Sequence, residues 1–187
     1  MPFAIELFFD PKLDLEVQRL GQALEKRGIP AIFSTLGATP HVSLAVFDSY
    51  DGNKLHSTLK KLSGTFPPRP AQLSALGTFP GKEGVLFLSP KVGRFLLEIH
   101  EALHRFLPGV TRGNWDYYLP ENWVPHCTLS IHLSPGELAA GMDLVRKKFS
   151  GLKGRYARLA LVEVDPGLKK PIRLISSIPL SGKKRNK

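Results

Sequence analysis

The chain contains a single cysteine, Cys127. An internal disulfide framework is therefore excluded, and a reducing, cytoplasmic setting is expected. No uninterrupted apolar run reaches the roughly 18 residues that span a bilayer, so no membrane partner is expected. The first residues, Met1-Pro2-Phe3-Ala4-Ile5-Glu6, lack a basic n-region and a small-residue cleavage site, and no signal peptide is read. Acidic side chains are also few: 16 Asp+Glu stand against 26 Lys+Arg, a formal net charge of +10. A field of that sign favours polyanions such as nucleic acid, anionic lipid or phosphorylated substrates. Lys183, Lys184, Arg185 and Lys187 belong to a basic C-terminal tail, 181–187, and the remaining body carries about +6.

What is present is a globular chain. Its 187 residues, 42% apolar and 22% charged, suffice for a real core without staples. Residues 3–9 alternate Phe3, Ile5, Leu7 and Phe9 on one side, as a strand does. Asp10-Pro11 reads as N-cap and first helical position, followed by Leu13, Val17, Leu20 and Leu24 on one stripe and Gly28 at the end. A strand at 41–47, a helix from Asp51 to Leu62 and a strand at 71–79 complete the first half. The order then repeats: a strand at 84–88, a helix over 91–107, a strand at 126–133, a helix opened by the capping box Ser134-Pro135-Gly136-Glu137, and a strand at 155–164. One more strand is read at 172–180. Corresponding elements lie about 80–85 residues apart, too long a period and too few copies for a solenoid. The pattern predicts an α+β duplication with pseudo-two-fold symmetry. It forms one bilobal domain over 1–180 with its boundary near 80–84, two antiparallel sheets flanked by helices, and a central cleft.

The two second strands carry the same signature. Pro40-His41-Val42-Ser43-Leu44-Ala45-Val46 and Pro125-His126-Cys127-Thr128-Leu129-Ser130-Ile131 both read Pro-His-x-(Ser/Thr)-Leu-small-aliphatic. Alternation in a strand sends Val42, Leu44 and Val46 to one core and Cys127, Leu129 and Ile131 to the other. His41 with Ser43, and His126 with Thr128, then take the opposite faces and can meet across one cleft. His56-Ser57-Thr58 matches the bare triplet too, but it falls on a helix, where i and i+2 do not share a face. Cys127 is assigned to the core rather than to nucleophilic chemistry.

With these motifs the chain resembles the two-histidine (2H) phosphoesterases, in the branch of 2′-5′ RNA ligases and RNA 2′,3′-cyclic phosphodiesterases. Leu76-Gly77-Thr78-Phe79-Pro80 followed by Gly84-Val85-Leu86-Phe87 is similar to the family's middle segment. The resemblance implies a bilobal fold with both motifs lining a central groove, and a monomer acting on RNA or a nucleotide that bears a 2′,3′-cyclic phosphate. Where RNA-ligase-like members often place a basic residue after the second motif, this chain has Ser130-Ile131-His132. Opening a cyclic phosphodiester needs a base for water and an acid for the leaving sugar oxygen, and histidine can hold either state near neutral pH. His41 and His126 are the expected catalytic pair, and Ser43 and Thr128 the expected phosphate-binding hydroxyls. No cofactor or metal is called for.

Arg112, Trp115, Tyr117, Tyr118 and Trp123 crowd the stretch before His126 and, with Phe79, are candidates for base stacking or substrate contact. For Trp115 and Trp123 the alternative is plugging the interface between lobes. Two other functional classes compete. His100-Glu101-Ala102-Leu103-His104 is a literal H-E-x-x-H, which on a helix could bind zinc with Glu101 as base and Glu121 as a third ligand. A non-catalytic RNA-binding module would also suit the basic charge, although it has no need of both histidine motifs. Gly77 to Lys82 falls one residue short of a P-loop and lacks its following Ser/Thr.

Overall fold

A computed structural model describes residues 1–165, 167 and 169–182. Of the basic tail expected over 181–187, residues 183–187 lie outside the described residues. Ser181 and Gly182, which lead to them, are tied down by backbone N–H donation to the carbonyls of Ser63 and Phe66.

In chain order the elements are β1 (Phe3–Phe9), α1 (Pro11–Glu25), the short α2 (Ile32–Thr35), β2 (His41–Tyr50), α3 (Gly52–Thr65) and β3 (Arg69–Gly77). The second half holds β4 (Gly84–Pro90), α4 (Arg94–Phe106), β5 (Thr111–Asn114), a 3-10 turn (Asp116–Tyr118), β6 (Cys127–Leu133), α5 (Pro135–Lys148), β7 (Leu152–Glu163) and β8 (Arg173–Pro179). The helix starts follow from the sequence. The Asp10 carboxylate accepts from the Leu13 amide at 2.9 Å, Asp51 accepts from Lys54 at 3.1 Å, and Ser134 and Glu137 form both halves of the capping box. Among the described residues no helix is long and apolar enough to cross a membrane.

The strands form a mixed α+β architecture, but with one eight-stranded antiparallel sheet instead of the two expected. Its order is β5-β2-β1-β7-β3-β4-β6, with β8 also on β7. The reason is the length of β7. Its C-terminal part, Tyr156–Glu163, pairs with β1, and its N-terminal part, Leu152–Tyr156, pairs with β3. The order β2-β1-β7-β3-β4-β6 reads the same in reverse when β1, β2 and β7 are exchanged for β4, β6 and β3. Each half thus pairs its first strand with the other half's last strand, β1 with β7 and β4 with β3. Helices follow the same exchange: α1 packs beside α5, and α3 beside α4. The main core lies between the sheet and these helices, with Leu13, Val17, Leu55, Leu59, Leu96 and Ile99 among its fully buried side chains. The stripes read from the sequence are these. The opposite face of the sheet is covered only in patches, by Tyr118, Val164 and Ile172 over Ala4, Phe8 and Val46, and this is where the cleft opens.

Candidate active site

The two histidine motifs lie on β2 and at the start of β6, and both strands depart from simple alternation at the same place. Ser43 stands opposite Glu6 and Ala45 opposite Ile5, so Leu44 is an extra residue. Thr128 stands opposite Phe87 and Ser130 opposite Leu86, so Leu129 is an extra residue in the same way. These are β-bulges, each three residues after its histidine. The bulge keeps Leu44 and Ala45 together in the core and turns Val46 to the cleft. Leu129 and Ser130 are likewise both fully buried, and Ile131 turns to the cleft. The expectation that Val46 and Ile131 point into the core is corrected here, because a bulge inverts the faces beyond it. His41, Ser43, His126 and Thr128 precede the bulges and share one cleft of about 150 Å³ with Glu6, Trp115, Tyr118, Asp165 and the apolar wall of Ile32, Leu36, Ile131 and Ile172.

Both catalytic candidates are held in the same way. His41 Nδ1 lies 2.6 Å from the Thr39 carbonyl, and His126 Nδ1 lies 2.7 Å from the Val124 carbonyl. A carbonyl only accepts, so Nδ1 of each ring carries a proton and donates it. Nε2 of each ring is then the nitrogen that exchanges protons. Burial holds both imidazoles below their ordinary basicity, partly opposed by these backbone bonds, and for His126 the nearness of His41 adds to the depression.

Glu6 is the residue that the sequence reading missed. It is 3% exposed, and its Oε1 lies 3.2 Å from His41 Nε2. Burial pushes its carboxyl up to about 8. Tyr118 is raised as well, by burial and by the Glu6 charge. The available signal was one acid in an otherwise apolar strand, Phe-Ala-Ile-Glu-Leu-Phe-Phe. In the second half Phe87 stands where Glu6 does, and the His126 ring packs against Phe79 at 4.9 Å and Phe87 at 5.3 Å between centroids.

The other candidates divide. Trp115 lines the cleft with its indole N–H bonded to Asp48 at 3.1 Å, and Tyr118 lines it too. Phe79 packs on His126. Arg112, exposed on the edge strand β5 opposite Ser49, and Tyr117, 82% exposed, do not line the cleft. Among the described residues no Lys or Arg does.

The H-E-x-x-H segment acts as a clamp on the site. His104 Nε2 donates to the Leu44 carbonyl and His100 Nε2 to the Tyr118 carbonyl, both at 3.0 Å. Trp123 stacks flat on His100 at 3.7 Å and donates its indole N–H to the Ser43 carbonyl at 3.0 Å. The carbonyls around the β2 bulge are thereby satisfied, and the segment carrying Trp115 and Tyr118 is fixed over the sheet. Trp123 therefore sits beneath the site, between the His100 ring of α4 and the Ser43 carbonyl of β2. Among the described residues no three His, Cys, Asp or Glu side chains gather as metal ligands, Glu121 included. Cys127 is fully buried with its thiol pushed up to about 12, a core residue as expected.

A family model described as the 2′-5′ RNA ligase superfamily matches residues 9–167. No curated protein matches the chain. Among solved structures, TT0787 of Thermus thermophilus is similar over 98% of this chain and 100% of its own, with 16% identity and a TM-score of 0.63. E. coli LigT complexed with 3′-AMP is similar over 96% of each chain, with 14% identity and a TM-score of 0.59. At such identities the likeness is one of fold.

Proposed function

The chain belongs to the 2′-5′ RNA ligase superfamily, and from that premise we propose that it is a metal-independent phosphodiesterase. It opens the 2′,3′-cyclic phosphate of RNA ends or nucleotides to a 2′-phosphate by two-histidine acid–base catalysis. The observation that carries this reading is the matched pair of rings: His41 and His126 each donate Nδ1–H to a backbone carbonyl and share one cleft with the hydroxyls of Ser43 and Thr128.

One Nε2, neutral, takes a proton from water as the water oxygen bonds to phosphorus. The other, protonated, supplies the proton that the leaving sugar oxygen needs. Ser43 and Thr128 donate to the non-bridging oxygens, where charge builds in the transition state. By microscopic reversibility the same groups join a cyclic end to a 5′-hydroxyl, giving 2′-5′ ligation. With no Lys or Arg on the cleft wall among the described residues, the ligand charge meets only the two imidazoles and the hydroxyls. A cyclic phosphodiester, with one negative charge, suits that balance better than a terminal phosphate with nearly two.

The cleft, at about 150 Å³, is smaller than the ~300 Å³ at which pockets enclosing a whole small molecule begin. It suits the cyclic phosphate and adjoining sugar, with the rest of the RNA outside and Trp115 and Tyr118 beside it. Both motifs come from one chain, which is consistent with a monomer, and the lone buried Cys127 suits the cytoplasm.

A short RNA ending in 2′,3′-cyclic phosphate, incubated with the protein and EDTA, tests the reading. A 2′-phosphate product is expected. A 3′-phosphate product would overturn the regiochemistry, and RNA that binds without turnover would make the protein a binding module.

A further inference from the structure

Glu6 is the only charged residue of β1, and its side chain is directed at a catalytic candidate. The proton count on that contact follows from its partners. His41 Nδ1 carries a proton, because its partner at 2.6 Å is the Thr39 carbonyl. His41 Nε2 therefore either bears a second proton or holds a lone pair. Facing it at 3.2 Å is a carboxyl oxygen. Two lone pairs at that distance in a buried site repel, so one proton lies on this line, either on Nε2 or on the carboxyl.

His126 differs. Its Nδ1 is tied to Val124 in the same way, but among the described residues no carboxylate pairs with its Nε2. In the place of Glu6 it has the ring of Phe87. The pseudo-symmetry thus breaks at the pair of positions that decides which ring holds a proton.

We propose that Glu6 and His41 share a single proton, so that His41 is the proton donor of the site and His126 the base, with Glu6 as the positioning residue. The sharing stands on geometry alone, whereas the acid and base roles rest on the phosphodiesterase reading. In the step itself, His126 Nε2 takes a proton from water while the water oxygen bonds to phosphorus. The bond from phosphorus to the 3′-oxygen breaks, and that oxygen, taking the place of the Glu6 oxygen on His41 Nε2–H, accepts the shared proton and leaves a Glu6 carboxylate and a neutral His41 ring. Proton release from His126 and uptake by the Glu6–His41 pair restore the starting state.

Among the described residues the other ionisable groups around Glu6 are Tyr118 from the 3-10 turn, His126 just before β6 and Asp165 after β7. Arg158 of β7 lies over the Phe8 ring, and Cys127 lies on the far face of the sheet. Burial favours the neutral form of both partners, which is the carboxylic acid facing a neutral ring. Such a pair titrates as a unit, losing its shared proton only near pH 8 or above.

The test is a histidine Cε1–H NMR titration of wild type and Glu6→Gln, alongside pH–rate profiles on the cyclic-phosphate RNA. Wild-type His41 should report two steps, the upper one near pH 8 or above. In Glu6→Gln it should show one step below its ordinary value, a downward displacement of more than about one pH unit for the last proton. The His126 titration should move much less, and the alkaline limb of the rate profile should move down while the acid limb stays. Glu6→Asp, which keeps a carboxyl, should recover part of the upper step. An unchanged His41 titration overturns the shared proton, and so does a wild-type His41 that titrates once near 6.5, a result available even if Glu6→Gln fails to fold. An equal loss of rate at every pH makes Glu6 merely structural, and movement of the acid limb reverses the assignment. Absence of turnover in the wild type would refute the phosphodiesterase reading and leave the NMR titration to decide the shared proton.

Discussion

Acidification should destabilise this protein through His100, and by an amount that can be worked from its surroundings. His100 is 2% exposed, stacked on Trp123 and donating to the Tyr118 carbonyl. Burial, then the neighbouring His104, depress it to about 4 from the ordinary 6.5. A folded-state value below the unfolded one means that the unfolded chain takes up the proton first. The contribution of a neutral His100 is fully present above pH 6.5 and is lost as the pH falls through that value towards 4. At ~1.4 kcal/mol per unit, the loss is about 2 kcal/mol at pH 5 and about 3 kcal/mol at pH 4. His41, His104 and His126 push in the same direction, whereas Glu6, raised to about 8, gains stability as the pH falls from 8 towards its unfolded value. The raw profile therefore mixes opposing groups, and a difference profile is needed. His100→Phe keeps a ring on Trp123 and removes the titration. Urea unfolding of both proteins from pH 7.5 to 4 should show the wild type losing about 3 kcal/mol relative to the variant over that range. A difference that stays flat would refute a buried neutral His100.

Further outcomes follow from the same contacts. Trp123→Phe removes the indole donor to the Ser43 carbonyl and should cost about 1–3 kcal/mol in urea unfolding, with a fall in kcat as the β2 bulge loosens. Ser43→Ala and Thr128→Ala should each lower kcat by about 10²-fold with little change in unfolding midpoint, since each would remove one donor to the developing charge in the proposed step. Gly154→Ala would place a Cβ 2.5 Å from Leu13 Cβ where α1 crosses β7, and the urea midpoint should fall by the equivalent of about 1–3 kcal/mol. Turnover of cyclic-phosphate RNA should be unchanged after dialysis against EDTA, because the proposed acid and base are both side chains.

Much of this was legible from periodicity and caps. The Asp10-Pro11 and Ser134–Glu137 signals mark real helix starts, and the repeat spacing anticipates the exchange symmetry of the sheet. The junction of the two sheets was not legible, because which strand adjoins which depends on tertiary pairing along β7 and not on local pattern. The faces of Val46 and Ile131 escape a sequence reading for a related reason. A bulge leaves no mark on hydrophobic alternation when the extra residue, Leu44 or Leu129, is itself apolar. The β5 edge strand, Thr-Arg-Gly-Asn, has neither β-branched runs nor alternation to announce it, and it exists by pairing with Phe47, Ser49 and Tyr50. Glu6 reads as the solvent side of a half-buried strand, whereas β1 is central and buried on both faces. The aromatic cluster was found as a cluster, but geometry had to sort Trp115 and Tyr118 from the exposed Tyr117 and from Trp123 beneath the site.

The central claim is that His41 and His126 carry the chemistry together. The direct measurement is kcat and RNA affinity for wild type, His41→Ala and His126→Ala on a short RNA ending in 2′,3′-cyclic phosphate. The expected result is a loss of about 10²–10⁴-fold in kcat in each single variant, with affinity held within a few-fold. Turnover that survives either substitution at near wild-type rate would contradict the account.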